Sequence, residues 1–353
     1  MLIPKMTPFQ RVMTALSHQE PDRVPFFLLL TMHGAKELSI SIEDYFSKAE
    51  HVVNGQLLMQ RKYGHDCIYT FFYAAIEVEA WGGEIVYTED GSPNSGRPFI
   101  RSLDAIKSLE PPRPDKVNCL VKVLEATTQL KLRVGNNLPI IGVVMSPFSL
   151  PAMQLGFDKY IELLYEQGDL FWQLMRVNSQ HCVDWANAQL AAGATAICYF
   201  DPLSSSDIIP RDLYIKTGYK VAKQALSQIK GPTATHLASG RALPISNLVS
   251  QTGTAAIGIS ALDELSEVKE HCKDRLSILG NLNGIAMTKW TTQQAEEAVK
   301  NAICKAGKGG GFILADNHGE IPYQVSDQVL MAISESVRTW GQYPLDWVNG
   351  YEK

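Results

Sequence analysis

The stretch GFILADNHGEIP, residues 311–322, sets an apolar run directly against a turn that carries Asp316, His318 and Glu320. A parallel strand that empties into ionisable groups is how the carboxyl end of a barrel sheet presents its chemistry. Seven further short apolar runs precede it, at residues 24–30, 67–72, 140–145, 195–200, 233–237, 255–259 and 276–280. Between them lie amphipathic, helix-length patterns at 49–63, 168–192, 211–230, 262–272 and 291–305, and 328–341 follows the last strand. Eight such units predict an α/β chain folded as one (β/α)8 TIM barrel over 1–353, with an N-terminal helical extension. An open doubly wound sheet uses the same alternation, but no GxGxxG opens a helix after a strand. Residues 80–114 interrupt the pattern, and their GGEIVYTEDGSPNSGRPFIRS predicts a β-hairpin inserted after the second strand.

Composition narrows the function classes. The 353 residues are 45% hydrophobic and 20% charged, with a formal charge of −5, which gives no electrostatic case for nucleic acid. No stretch is long and apolar enough to span a bilayer, so no membrane partner is expected. The opening MLIPKMTPFQRVMTALSHQEPDRVPF lacks the uninterrupted apolar core of a secretion signal, and the expected location is cytoplasmic. Six cysteines without a CxxC pair agree with a reduced compartment and free thiols.

In a barrel, the residues that follow each strand share one mouth. Here they include His33, Tyr73, Glu77, Ser146, Asp201, His236, Ser260, Asn281, Asn283, Asp316 and His318, with Met32, Phe72, Met145, Phe148 and Tyr323 as apolar wall. No glycine-flanked serine elbow is present, and no lysine follows a strand. What remains is acid–base or metal chemistry on an organic substrate in an apolar setting.

These segments carry a resemblance. TPFQRVMTALSHQEPDRVPF, EVEAWG, GATAICYFDPLSSSDIIP, SILGNLNG and FILADNHGEIP together resemble the uroporphyrinogen decarboxylase superfamily, including its corrinoid-dependent methyltransferase branch. The resemblance covers nearly the whole chain and itself implies a (β/α)8 barrel. The decarboxylases share an arginine-rich segment after the first strand and an aspartate after the second. This chain has TMHGAKEL there, with Ala35 at the second arginine's place, and Tyr73 at the aspartate's. The thiol methyltransferases share an HxC after the fifth strand and a cysteine after the eighth, which hold zinc. Here His236 is kept, Ala238 replaces the first cysteine, and His318 stands at the second.

The departures give the branch its chemical reading. A thiolate-rich zinc suits activation of a thiol, whereas cleaving an ether requires a better oxygen leaving group. Protonation by His318 or a nearby acid such as Asp316, or a zinc on His236 and His318, would each supply it. The resemblance then implies the substrate-side component of an O-demethylase, taking a methyl group from a methoxylated aromatic compound to cobalamin on a separate corrinoid protein. Catalytic roles are expected for His318, Asp316, His236 and Tyr73. Substrate contacts are expected from Met32, His33, Phe72, Glu77, Met145, Phe148, Asp201 and Tyr323. Transfer from a methylcobamide to a thiol, a decarboxylase and a non-catalytic barrel stay open as alternatives, and a homo-oligomer is compatible with each.

Overall fold

The computed structural model describes residues 5–317 and 319–351. The chain forms the strands β1 (Ile68–Tyr69), β2 (Ile85–Val86), β3 (Asn94–Ser95), β4 (Ile140–Met145), β5 (Ala196–Phe200), β6 (Thr233–His236), β7 (Ala256–Gly258), β8 (Ser277–Leu282) and β9 (Phe312–Asp316). Seven of them make one parallel sheet in the order β1-β4-β5-β6-β7-β8-β9. The expected run at 24–30 supplies the eighth stave. Its backbone bonds β9 on one side, from Phe27 N to Leu314 O at 2.8 Å and from Leu314 N to Pro25 O at 2.9 Å. On the other side Asp66 N donates to Phe26 O at 2.9 Å, which closes the ring. Pro25 has no N–H to give a ladder, so regular pairing here shrinks to a single parallel bridge at Phe26 and Leu314.

Several helix boundaries follow the sequence signals closely. Ala49–Tyr63 stops at Gly64, whose φ of +68° suits only a residue without a side chain to clash. Thr292–Ala306 starts on a capping box made by Thr291 and Gln294. The expected helix at 211–230 is two pieces, Arg211–Lys216 and Gly218–Leu226. The break lies at Thr217, whose φ −125° and ψ −90° are not helical, and the second piece starts on Gly218, where a Cβ would come 2.9 Å from the Tyr214 ring and 3.1 Å from that of Phe148. The inserted hairpin is real but short: β2 and β3 pair antiparallel over two residues each. Among the described residues no helix is long and apolar enough to cross a membrane, and all six cysteines are free thiols.

The N-terminal extension, Pro8–Leu16, lies across the amino-terminal end of the barrel. Val12 packs among the lumen-facing side chains Phe27, Leu29, Cys67, Tyr69, Ile141, Val143, Cys198, Ala256, Leu279, Ile313 and Ala315. Backbone bonds from Phe9 N to Asn137 O and from Gly311 N to Ala15 O fix it there. Its Arg11 reaches Asp66 at 2.7 Å, and Arg23 reaches the same carboxylate at 2.7 Å. Asp66 is fully buried and also accepts from Phe26 N at 2.9 Å. Removing this carboxylate takes the ion pair from Arg23 and one of two from Arg11, which keeps Asp22, and leaves the Phe26 amide without its acceptor in a buried seam. Asp66→Ala is therefore expected to cost about 3–5 kcal/mol, measured by chemical denaturation, while Asp66→Asn retains part of the hydrogen bonding and loses less.

Candidate active site

The alternation of β6, Thr-Ala-Thr-His, turns Ala234 and His236 toward the lumen, and His236 ends the strand at its carboxyl end. Three neighbours fix its ring. The Phe200 ring at the end of β5 stacks on it with centroids 5.4 Å apart and planes 20° from parallel. Gly258 makes room on the other strand, since a Cβ there would lie 2.4 Å from His236 Cδ2. Ala238 N donates to His236 Nδ1 at 3.0 Å, from a residue held at φ +52°. With Nδ1 accepting, the proton of the neutral imidazole sits on Nε2, and that edge is a donor.

Asp316 ends β9 with 3% exposure, and Leu29 N points at its Oδ1 from 3.5 Å. Burial first, and then the neighbouring Cys67 and Cys198 and the charge of Asp316, push the Tyr69 hydroxyl far above the ordinary phenol range. Burial, and then the charge of Asp316, push the Cys198 thiol up to about 12. Both therefore stay protonated in the lumen. Beneath His236 and Asp316 opens a cavity of about 320 Å³ lined by Phe27, Leu29, Tyr69, Phe71, Ile141, Val143, Cys198, Phe200, Leu279 and Ile313, among others. No lysine or arginine lines it among the described residues.

Of the residues singled out in the sequence, His236 and Asp316 border this cavity. His318 lies outside the described residues. Met145, 5% exposed, packs close by with Val78, Leu150 and Phe200. The others are engaged elsewhere. Glu77 accepts from Met145 N at 2.6 Å and pairs with His181 Nε2 at 3.0 Å, so its carboxylate anchors the end of β4. Asp201 is fully enclosed and accepts from the hydroxyls of Ser146, Ser149 and Ser204 at 2.5, 2.7 and 2.5 Å. It ties the exits of β4 and β5 together, and burial raises its pKa. Tyr73 donates to Glu79 and sits in a core cluster with Phe46, Phe72 and Met32. Phe148 is buried in the main core, where its carbonyl accepts from Tyr160. Tyr323 is half-buried against the His33 ring, with Lys36 over its face at 4.1 Å.

Tyr69 and Phe200 are lumen residues that strand-exit reasoning passes over. The signal was present: inward positions recur every second residue, so Cys67, Tyr69 and Phe71 share a face that Phe72 leaves.

A zinc site of the kind the family resemblance implies needs a set of donors. Among the described residues no three of His, Cys, Asp and Glu converge. The Nδ1 of His236 is taken by Ala238 N–H, which leaves Nε2 protonated and unsuited to coordination. The described donor set does not fit zinc, and no step is derived through one.

The uroporphyrinogen decarboxylase family profile matches residues 7–340. A uroporphyrinogen decarboxylase of Idiomarina loihiensis is 23% identical, covering 94% of this chain and 95% of its own length. A methylcobamide:CoM methyltransferase of Methanosarcina barkeri is also 23% identical, covering 77% of this chain and 81% of its own. The solved structure of a methyltransferase from Methanosarcina mazei superposes with a TM-score of 0.85 at 20% identity, covering 95% of this chain and 99% of the other. That likeness confirms the barrel.

His33 supplies a test of the mouth's construction. Its ring is 1% exposed, and neither nitrogen has a hydrogen-bond partner among the described residues. Burial, aided by Lys36, lowers its pKa from 6.5 to about 3. The unfolded chain thus binds the proton more tightly, so stability is full above pH 6.5 and is lost as the pH falls. Between pH 7 and pH 5 this group alone is expected to cost about 2 kcal/mol. Denaturation at the two pH values should show that loss, and His33→Phe should reduce it.

Proposed function

The chain belongs to the uroporphyrinogen decarboxylase family, and from that membership we propose that it moves a methyl group from a methoxyaromatic donor to the reduced corrin of a separate corrinoid protein. The observation that carries this reading is the lumen itself. A polycarboxylate tetrapyrrole needs cations to hold it, and the described lining of this cavity offers none. The resemblance to methylcobamide methyltransferases supports methyl transfer as the reaction.

The step breaks the methyl–oxygen bond, and the oxygen keeps the bonding pair. The methyl carbon takes its new pair from the reduced corrin, which is a substrate brought by the partner. A phenolate is a poor leaving group until it is hydrogen-bonded or protonated. In this reading His236 donates from Nε2, supported by the Ala238 N–H on Nδ1 and by the Phe200 ring and Gly258 on either side of its plane. His318 and Asp316 are proposed to complete the proton supply at the same strand exits. The apolar walls exclude water, so the donated hydrogen bond acts in a low-dielectric site. The aromatic ring is held by Tyr69, Phe71 and Phe200, which line the lumen.

Purified protein, reduced corrinoid protein and a methoxyarene such as veratrole are expected to yield methylated corrinoid. His236→Ala should lower turnover by about 100-fold or more. Methylcobamide consumption that requires an added thiol, with no transfer from ethers, would instead establish the thiol methyltransferase reading.

A further inference from the structure

Barrel interiors are ordinarily filled by layers of branched side chains. In this one six of the inward positions on β5, β6, β7 and β9 are small, namely Ala196, Cys198, Ala234, Ala256, Gly258 and Ala315, beside the larger Phe200, His236 and Ile313. The result is a lumen that stays open below His236. Its lining runs from Phe200 at the carboxyl end of β5 down to Thr195, and on to Leu16 and Met13 of the N-terminal helix. Five residue steps from Thr195 to Phe200, at about 3.3 Å each, make a path of roughly 16 Å along the strand. A strand tilt of about 36° shortens that to roughly 13 Å along the barrel axis. This is longer than one aromatic ring. The volume of about 320 Å³ is also roughly twice that of an apolar cavity known to accept benzene, about 150 Å³.

Charge narrows the occupant further. Burial keeps Tyr69 and Cys198 protonated, so below the level of Asp316 the described walls carry no charge. We propose that the lumen binds an uncharged, elongated aryl methyl ether, with its ring beneath His236 and Asp316 and an apolar para substituent running down to Leu16. The identity of this ligand as a methyl donor rests on the function proposed above; its shape and depth rest on the lumen. Ala256 sits two residues below Gly258 and keeps the middle of the passage open. Leu16 forms the floor and sets the longest tail that fits.

Isothermal titration calorimetry of the full chain with anisole, 4-propylanisole and 4-hexylanisole, without corrinoid protein, tests this. Affinity is expected to rise about fourfold for each methylene added until the floor is reached. Ala256→Leu should abolish that gain and weaken the longest ligand at least tenfold. Leu16→Ala should move the optimum to a longer tail, and it carries the test if Ala256→Leu fails to fold. Affinity that stays flat along the series, or a chain-length profile that the folded variants leave unchanged, overturns the proposal. Because binding is read without the corrinoid partner, tail-dependent binding with no methyl transfer would sink the methyltransferase reading alone. Methyl transfer with a flat series would sink this inference alone.

Discussion

Asp66 holds Arg11, Arg23 and the amide of Phe26 in the buried seam where the first stave meets the second. A barrel is a sheet without edges, and this is where its last edge is sealed. Pro25 weakens the ladder at that point, so side-chain charge takes over part of the work of backbone pairing. The same carboxylate ties down the N-terminal helix through Arg11, and that helix forms the floor of the lumen. Sealing the seam also brings the end of the first stave beside β9: Leu29 O accepts from Ile321 N, and Thr31 donates to Glu320.

Above the seam, polar clusters hold the mouth in shape without facing the cavity. Asp201 gathers three serine hydroxyls, Glu77 clamps the amide of Met145, and Asp263 accepts from the amides of Ala242, Leu243 and Ser260. Asp201 and Asp263 each join loops that begin at different strands, and Glu77 joins the end of β4 to His181 in a helix. Such hydrogen-bonded networks give a rigid rim, on which His236 can be aimed within a narrow range of orientations. The rigid rim surrounds an open interior. Apolar void of this kind costs on the order of 20 cal/mol per Å³ when it is left empty, so a lumen of this size is a considerable sacrifice of packing. Small side chains at six inward positions are consistent with an interior shaped for a ligand.

The strand and helix order was legible because the two periodicities differ so plainly: short apolar runs alternate with 3.6-residue amphipathic stretches. The boundaries of 49–63 and 291–305 were legible from Gly64 and from Thr291 with Gln294. The candidate site was legible only in part. Listing residues after each strand captured His236 and Asp316, but it also captured Glu77, Asp201, Tyr73 and Phe148, whose polar atoms or rings are engaged in packing. A strand exit tells which end of the barrel a residue occupies. It does not tell whether the side chain turns inward, because one residue of register reverses the face.

The sequence by itself determined the barrel, an N-terminal helix and the inserted hairpin, and through the family resemblance it pointed to the absence of the cysteines that a thiol-activating site would use. Those features depend on local periodicity, turn chemistry and residue identity, all of which are properties of neighbours along the chain. Tertiary structure alone decided that the interior is hollow, that His236 carries its proton on Nε2, and that Tyr69 rather than Tyr73 faces the lumen. These depend on which of two faces each strand turns inward, and on contacts such as Phe200 to His236 that join residues 36 positions apart in the chain.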